Sequence, residues 1–420
     1  IFSNGLLTVV RLITGIGRSK VMAITLGPVG VGVLAQANYL VLIGVGACSF
    51  VNMPATVLRY SADEPGNTAE RKRIVLSSAL LAQLILGAIV VCVGIAASEP
   101  ISSFAFDSNG KFYWAFAVLA GVPFYSFVSN YFPAILFGNN RFDVYVRAAV
   151  TGTVVAFLVS VAMIVWGGMQ GAIWSVLVGG AILFVAYVVA LQRMWPLREI
   201  FPTIWQRAEL WALFRQSGVF LFVSLSEFGA GLLLRHEILA QLGSAANGML
   251  QVPVALSSYC IPFLSGGLWG KLYPQIAKSG DTEEGRKMLS VSFKMVSLLS
   301  VVVLTGLIWL REWLIHLAYS DKFLPAAQIM PIQCLGDYAY MLGMTFSVFC
   351  MGAGLKRRFL LGWVGYYGVM LLVFFVSMPT LGLMAYSFAY MAGACVLAGV
   401  HLGWVLLRGA PGQRMAILPV

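Results

Sequence analysis

Twelve stretches of this chain are each long and apolar enough to cross a bilayer, and that fixes what it can fold into. They fall at about 1–26, 29–58, 74–98, 112–137, 144–167, 171–192, 213–242, 244–271, 287–310, 323–352, 357–378 and 382–407. A span takes about 20 apolar residues to cross about 30 Å of hydrocarbon. Backbone groups in lipid must be satisfied within the segment, and an open sheet leaves its edges bare, so each span is expected to be a helix. The spans use most of the 420 residues and leave no room for a soluble catalytic domain. A hydrophobic content of 60% against 10% charged residues excludes an ordinary soluble protein.

The second six spans repeat the first. Leu26-Gly27, Gly32 and Leu34 return as Leu242-Gly243, Gly248 and Leu250. Arg73-Ile74-Val75-Leu76-Ser77 returns as Arg286-Lys287-Met288-Leu289-Ser290, and Gly138, Arg141 and Phe142 return as Gly354, Arg357 or Arg358, and Phe359. The expected fold is therefore an all-α polytopic membrane protein, with twelve transmembrane helices in two pseudo-symmetric six-helix bundles. The bundles are expected at 1–192 and 213–420, joined by a linker over 193–212. Pro196, Pro202, Trp205 and the cations of that linker suit a helix lying on the inner membrane surface. An even number of spans per copy puts both halves the same way up, with a cleft between them near the midplane, where transporters of this plan hold substrate.

The net charge of +11 reports topology and gives no sign of nucleic acid. With the amino terminus inside, Arg59, Arg71, Lys72, Arg73, Arg141, Arg193, Arg198, Arg207, Lys271, Lys278, Arg286, Lys287, Lys356, Arg357, Arg358, Arg408 and Arg414 lie in inner loops or the tail. Only Lys111, Arg311 and Lys322 fall in outer loops. The excess of inner cations places both termini in the cytoplasm. There is no cleavable signal peptide, and Ile1 already lies in an apolar run, so a short leader with the initiator Met is expected to precede it. The six cysteines all fall inside spans with no metal-ligand spacing, which reads as packing. No metal or cofactor is expected. The glycines at 27, 30, 32, 266, 267 and 270 follow no strand and form no phosphate loop, so they read as close helix packing.

Seven cations remain at membrane depth, where each costs at least about 2.5–3.5 kcal/mol to insert. Arg11, Arg18 and Lys20 lie in span 1, and Arg11 and Arg18, seven apart, share a face with Asn4. Span 7 carries Glu227, Arg235, His236 and Glu237. Counted from the span ends, Lys20 and Arg235 lie at nearly equal depth. A diphosphate suits such a set, since guanidinium and ammonium groups hold it by charge-assisted hydrogen bonds. Neutralisation of Arg235 by Glu227 or Glu237, and snorkelling of Lys20, serve as well at this stage. Arg147, Arg215 and Lys294, near the cytoplasmic ends of spans 5, 7 and 9, either snorkel or form a basic vestibule for an anionic lipid head.

Two carboxylates at depth, Glu227 and Asp337, are ion-coupling candidates, because such a group can load and release a proton as its surroundings change. Asp337 continues a polar stripe from Gln333 to Tyr340. A helix–helix hydrogen bond explains it equally. Asn38 and Asn52 share a face of span 2, and Asn247, Gln251 and Ser258 a face of span 8. Such groups suit sugar hydroxyls or plain interhelical bonds.

At this point the residues resemble a family. Ser19-Lys20-Val21-Met22-Ala23, Leu26-Gly27-Pro28, Gly30 and Gly32 resemble the first span of Wzx-type polysaccharide flippases, in the multidrug/oligosaccharidyl-lipid/polysaccharide exporter superfamily. Arg235-His236, Leu239-Ala240, Gly248 and Gln251 resemble their seventh and eighth spans. Trp309-Leu310-Arg311-Glu312, Ser320, Lys322-Phe323, Gln333 and Leu335-Gly336-Asp337 resemble the branch acting on enterobacterial common antigen lipid III.

The resemblance implies a cationic cavity and alternating access in the bacterial inner membrane. It implies an undecaprenyl-diphosphate-linked glycan, carried to the periplasmic leaflet for O-antigen or related polysaccharide biosynthesis, with H+ or Na+ as counter-ion. Membrane lipids and the polymerase and chain-length machinery are the expected partners. Lys20, Arg235 and Asp337 carry over by position, whereas Arg18 replaces the apolar or small residue usual there. A multidrug antiporter is the rival, but its cationic substrates fit poorly with Arg11, Arg18, Lys20 and Arg235. A lipid II flippase commonly has two further spans. An enzyme would need a large outer loop, and none is present, nor is any nucleophile–base constellation.

Overall fold

The computed structural model describes residues 2–48, 69–106, 113–139, 141–268 and 272–407. Among these residues there are helices and no strand. The helices are α1 (Phe2–Thr25), α2 (Gly27–Ala47), α3 (Ala69–Ala96), α4 (Ser98–Phe106), α5 (Tyr113–Ser126), α6 (Phe132–Gly138), α7 (Phe142–Gln192) and α8 (Leu197–Ile200). There follow α9 (Arg207–Gly267), α10 (Tyr273–Ser279), α11 (Glu283–Trp309), α12 (Arg311–Ala318), α13 (Met330–Gly352), α14 (Lys356–Leu381) and α15 (Met384–Leu407). Eight helical segments are long and apolar enough to cross a membrane. Two of them lie in α7 and α9, which each hold two spans end to end, turned at Gly168 and Gly243. Large apolar side chains such as Leu158, Met295, Leu298, Leu372 and Val376 are exposed, as on a surface that lipid wets. Trp166 and Trp309, 87% and 88% exposed, sit at span ends, as interfacial anchors do.

The turns carry the repeat. Gly27 and Gly243 have φ of 65° and 82°, and Gly168 and Gly382 have φ of 54° and 52°. Only glycine adopts such conformations freely, so each pair marks the same hairpin in the two copies. A third equivalence closes the fourth and tenth spans. Arg141 N donates to Leu136 O and Leu355 N to Cys350 O, both at 2.7 Å, satisfying carbonyls that a helix end leaves bare.

The copies also differ. The fourth span runs from α5 to α6 through a π turn, Phe127–Tyr131, whereas its counterpart α13 is unbroken. The linker is not the surface helix its composition suggests. It holds one helical turn, α8, and is otherwise irregular until Arg207, because Pro196 and Pro202 deny the backbone its donors.

Two compact units emerge, Ile1–Ala240 and Gln241–Val420. The boundary falls after the seventh span, where composition placed it in the 193–212 linker. The first half of α9 is held within the first unit by specific contacts. An added Cβ on Gly231 would meet the Tyr39 ring of α2, and His236 stacks on Phe104 of α4 with ring centroids 3.8 Å apart. The core of the first unit is aromatic at one end, with Phe127, Tyr131, Phe132 and Tyr187 in mutual contact. Tyr131 fixes α8 there by donating to Ile200 O at 2.6 Å. Elsewhere small residues let helices approach. Gly121 of α5 lies on the backbone of Leu177 in α7, and Gly343 of α13 on Leu397 of α15.

Candidate functional site

Arg11 and Arg18 lie two turns apart on α1 and line one cavity of about 300 Å³ inside the first unit. Its other walls come from α5 and from both arms of α7, including Tyr125, Thr153, Ser160, Ser175 and Tyr187. Among the described residues no Asp or Glu lines it. Neither guanidinium has an ion-pair partner among the described residues. Arg18 Nη2 donates to Ser175 Oγ at 3.3 Å, and Ser160 Oγ lies 3.1 Å from Ser175 Oγ. Ser160 and Ser175 stand on opposite arms of the Gly168 hairpin at matching distances from the turn, which is why they meet. The near-equal spacing on either side of Gly168 is the sequence signal for this contact.

The hydroxyl protons here are largely committed. Ser175 donates to Ala172 O at 2.6 Å, Thr14 to Val10 O at 2.8 Å and Tyr125 to Val176 O at 2.9 Å. The guanidinium N–H groups are therefore the main donors aimed into the cavity. Arg18 Nε is buried and makes no hydrogen bond.

The other cations expected on one diphosphate site are placed differently. Lys20 is half-buried and not part of this cavity. Arg235 is fully buried, with its guanidinium carbon 4.7 Å from the Tyr39 ring centroid. A desolvated cation over an aromatic face gains about 2 kcal/mol, so part of the electrostatic demand of Arg235 is met by α2. Tyr39 escaped notice in the sequence because the contact spans most of the unit. His236, next along, is held with Nδ1 2.6 Å from Phe104 O.

Glu227 is exposed on α9 and forms no ion pair among the described residues. Asn38 is exposed, Asn247 buried and Gln251 half-buried. Asn52 lies outside the described residues, and Asn4 is described for backbone alone. Gln36, one turn of α2 from Tyr39, is buried with both amide atoms making no hydrogen bond. A lone glutamine in an apolar span gives no local signal of such a role.

The vestibule expectation needs correcting at one position. Arg147 is not a free cation, for its Nη2 lies 2.6 Å from Asp143 Oδ2, and Arg141 Nε is 3.2 Å from Oδ1 of the same carboxylate. Three charges thus leave one net positive. Arg215 and Lys294 are exposed.

In the second unit Asp337 is buried within a polar network. Tyr390 OH donates to Asp337 Oδ1 at 2.9 Å, Gln333 Nε2 reaches the same oxygen at 3.5 Å, and Ser387 donates to Gln333 Oε1 at 3.0 Å. Asp337 Oδ2 is buried without a hydrogen bond. The stripe read from the sequence continued to Tyr340. That ring instead packs among Trp363, Tyr366 and Tyr390 at about 6 Å, and Tyr390 of α15 completes the network. The groups arise from different helices, so no local spacing announces them.

A profile of the polysaccharide biosynthesis protein family matches residues 67–328. The chain belongs to that family. The lipid III flippases of Escherichia coli (strain K12) and Shigella flexneri are each 22% identical to it over 406 residues, covering 95% of this chain and 96% of theirs. Among solved structures, an inward-facing multidrug resistance MATE family transporter of the MOP superfamily superposes with a TM-score of 0.73 at 17% identity, covering 95% of this family member and 93% of that chain. The lipid II flippase MurJ, in an inward closed conformation, gives 0.71 at 15% identity, covering 95% and 87%. The all-helical, multi-span transporter fold is thus shared, and the protein is a multi-pass membrane protein.

Proposed function

We propose that this protein flips a polyprenyl-diphosphate-linked oligosaccharide from the cytoplasmic to the periplasmic leaflet of the inner membrane by alternating access. The observation that carries this reading is the pair Arg11 and Arg18 on one intramembrane cavity whose lining, among the described residues, contains no carboxylate. Such a site favours an anion, and a lipid-linked diphosphate is an anion that arrives within the bilayer. The flippases related to this chain support the same class of cargo.

The barrier to flipping is the passage of charges and hydroxyls through hydrocarbon. Guanidinium groups along the path replace the water those phosphates lose, while the prenyl chain stays in lipid. Arg11 and Arg18 act as the first phosphate contacts, with Lys20 and Arg235 as further cations on the route. Asn38, Asn52, Asn247 and Gln251 supply amides for sugar hydroxyls. Arg215 and Lys294 attract the headgroup, with Arg147 contributing less because Asp143 holds it. With the inside negative, each negative charge moved outward gains about 2.3 kcal/mol per 100 mV. A proton or sodium ion exchanged at Asp337 or Glu227 resets the cycle. Both termini lie in the cytoplasm in this scheme, as the inner-loop cations favour.

The MATE-like fold makes drug antiport the second reading, and two guanidinium groups with no carboxylate among the described lining residues weigh against a cationic cargo there. The deciding experiment is a proteoliposome assay, with lipid-linked oligosaccharide inside and a membrane-impermeant glycan probe outside. Flipping by the wild type that falls at least about tenfold in Arg18→Ala and Lys20→Ala, with both variants folded, is the expected result. No flipping by the wild type, together with export of a cationic dye, transfers the assignment to drug antiport.

A further inference from the structure

Arg11 is exposed and Arg18 half-buried on α1, and a desolvated guanidinium N–H left without a partner is costly. Arg11 and Arg18 share a cavity of about 300 Å³ whose lining, among the described residues, holds no carboxylate, and they form no ion pair among those residues. Ser175, Thr14 and Tyr125 give their hydroxyl protons to backbone carbonyls, and Ser160 gives its own to Ser175 Oγ. What reaches the cavity is therefore a surplus of N–H donors, with Arg18 Nε buried and unsatisfied. A solute with several acceptor oxygens and negative charge completes both deficits at once.

Volume admits a small solute. At about 300 Å³ the cavity lies at the small end of ligand sites. It has room for a phosphate group with its waters. We infer that the Arg11–Arg18 cavity of the first unit is a binding site for a free inorganic oxoanion of phosphate size, occupied from solution. Arg18 anchors the anion through Nε and the Nη group not given to Ser175. Arg11 closes on it from two turns away, a rise of about 10 Å that the two long side chains bridge. The Ser160–Ser175 pair fixes Arg18 in place and makes no direct contact in this arrangement. Such an anion is a competitor for the phosphates of a lipid substrate that reach the same guanidinium groups.

The test is equilibrium binding of radiolabelled orthophosphate to the purified full chain in nanodiscs, at constant ionic strength set with gluconate. Saturable binding is expected, weakened at least about tenfold in Arg18→Gln and in Arg11→Gln, since each lost charge-assisted contact is worth that order. Arg311→Gln, which removes a cation outside the cavity, is expected to bind as the wild type does. A rise in wild-type melting temperature that saturates with phosphate and is absent with gluconate gives the same answer without any variant. No saturable binding, or equal binding in Arg18→Gln, overturns the inference. Binding of polyprenyl diphosphate without binding of orthophosphate also overturns it, while leaving the flipping reading intact. Orthophosphate binding at Arg18 in a protein that flips no lipid sustains the anion site and removes the flipping assignment.

Discussion

Ser160 and Ser175 meet across the hairpin turned at Gly168, with their hydroxyl oxygens 3.1 Å apart, and Ser175 passes the contact on to Arg18. The position of a guanidinium on α1 is thereby tied to the geometry of a turn in α7. Replacing Ser175 by Ala removes the acceptor for both partners. A loss of about 1–3 kcal/mol is expected, read as a lower melting temperature, with flipping reduced several-fold. Unchanged flipping in a destabilised protein would mean that Arg18 needs no such anchor.

Gly243 adopts φ 82° and ψ 171°, a region essentially closed to other residues. No heavy atom lies within 4 Å of an added Cβ there, so Gly243→Ala meets no clash and reports backbone strain alone. The expected cost is about 1–3 kcal/mol, measured by thermal unfolding in detergent. Gly306→Ala, where a Cβ is also free of contacts but the backbone is helical, is expected to be neutral or stabilising.

Gly231 separates α9 from the Tyr39 ring, which lies under Arg235. Gly231→Ala is expected to push that ring aside, destabilising the first unit by about 1–3 kcal/mol through overpacking and uncovering Arg235. Tyr39→Phe keeps the aromatic face and is expected to be milder than Tyr39→Leu, which forfeits the cation–π contact. Equal effects of the two substitutions, measured as melting temperatures, would show that Tyr39 acts through packing alone.

Asp337 and Tyr390 form the centre of the buried network in the second unit. Asp337→Asn keeps the shape while removing the exchangeable proton. Flipping by this variant is expected to lose its response to an imposed pH gradient while the protein remains folded. If the response persists, coupling belongs to Glu227 or to another ion.

Most of the helical plan was legible because lipid imposes it. Span length and the turn glycines each follow from a local rule, and Gly27 with Gly243 and Gly168 with Gly382 mark the repeat in sequence and structure alike. The contacts of the candidate site were harder to read. The seven-residue spacing of Arg11 and Arg18 placed them together correctly, but nothing local to α1 reveals which helices face them. Tyr39 and Tyr390 each complete a site begun far away in the chain, and an aromatic ring in an apolar span looks like packing until its partner is known. The allegiance of the seventh span to the first unit was equally silent, since an apolar stripe does not record its neighbour.

The turns at Gly168 and Gly243 join their helices with no intervening loop. Whichever side of the membrane they face, they offer a protease nothing to cut and an inserted tag nowhere to sit. Topology mapping by epitope insertion is therefore blind at these two positions, and a silent reporter there would say nothing about sidedness. Single-cysteine labelling of the residues beside the turns is the approach that this architecture permits.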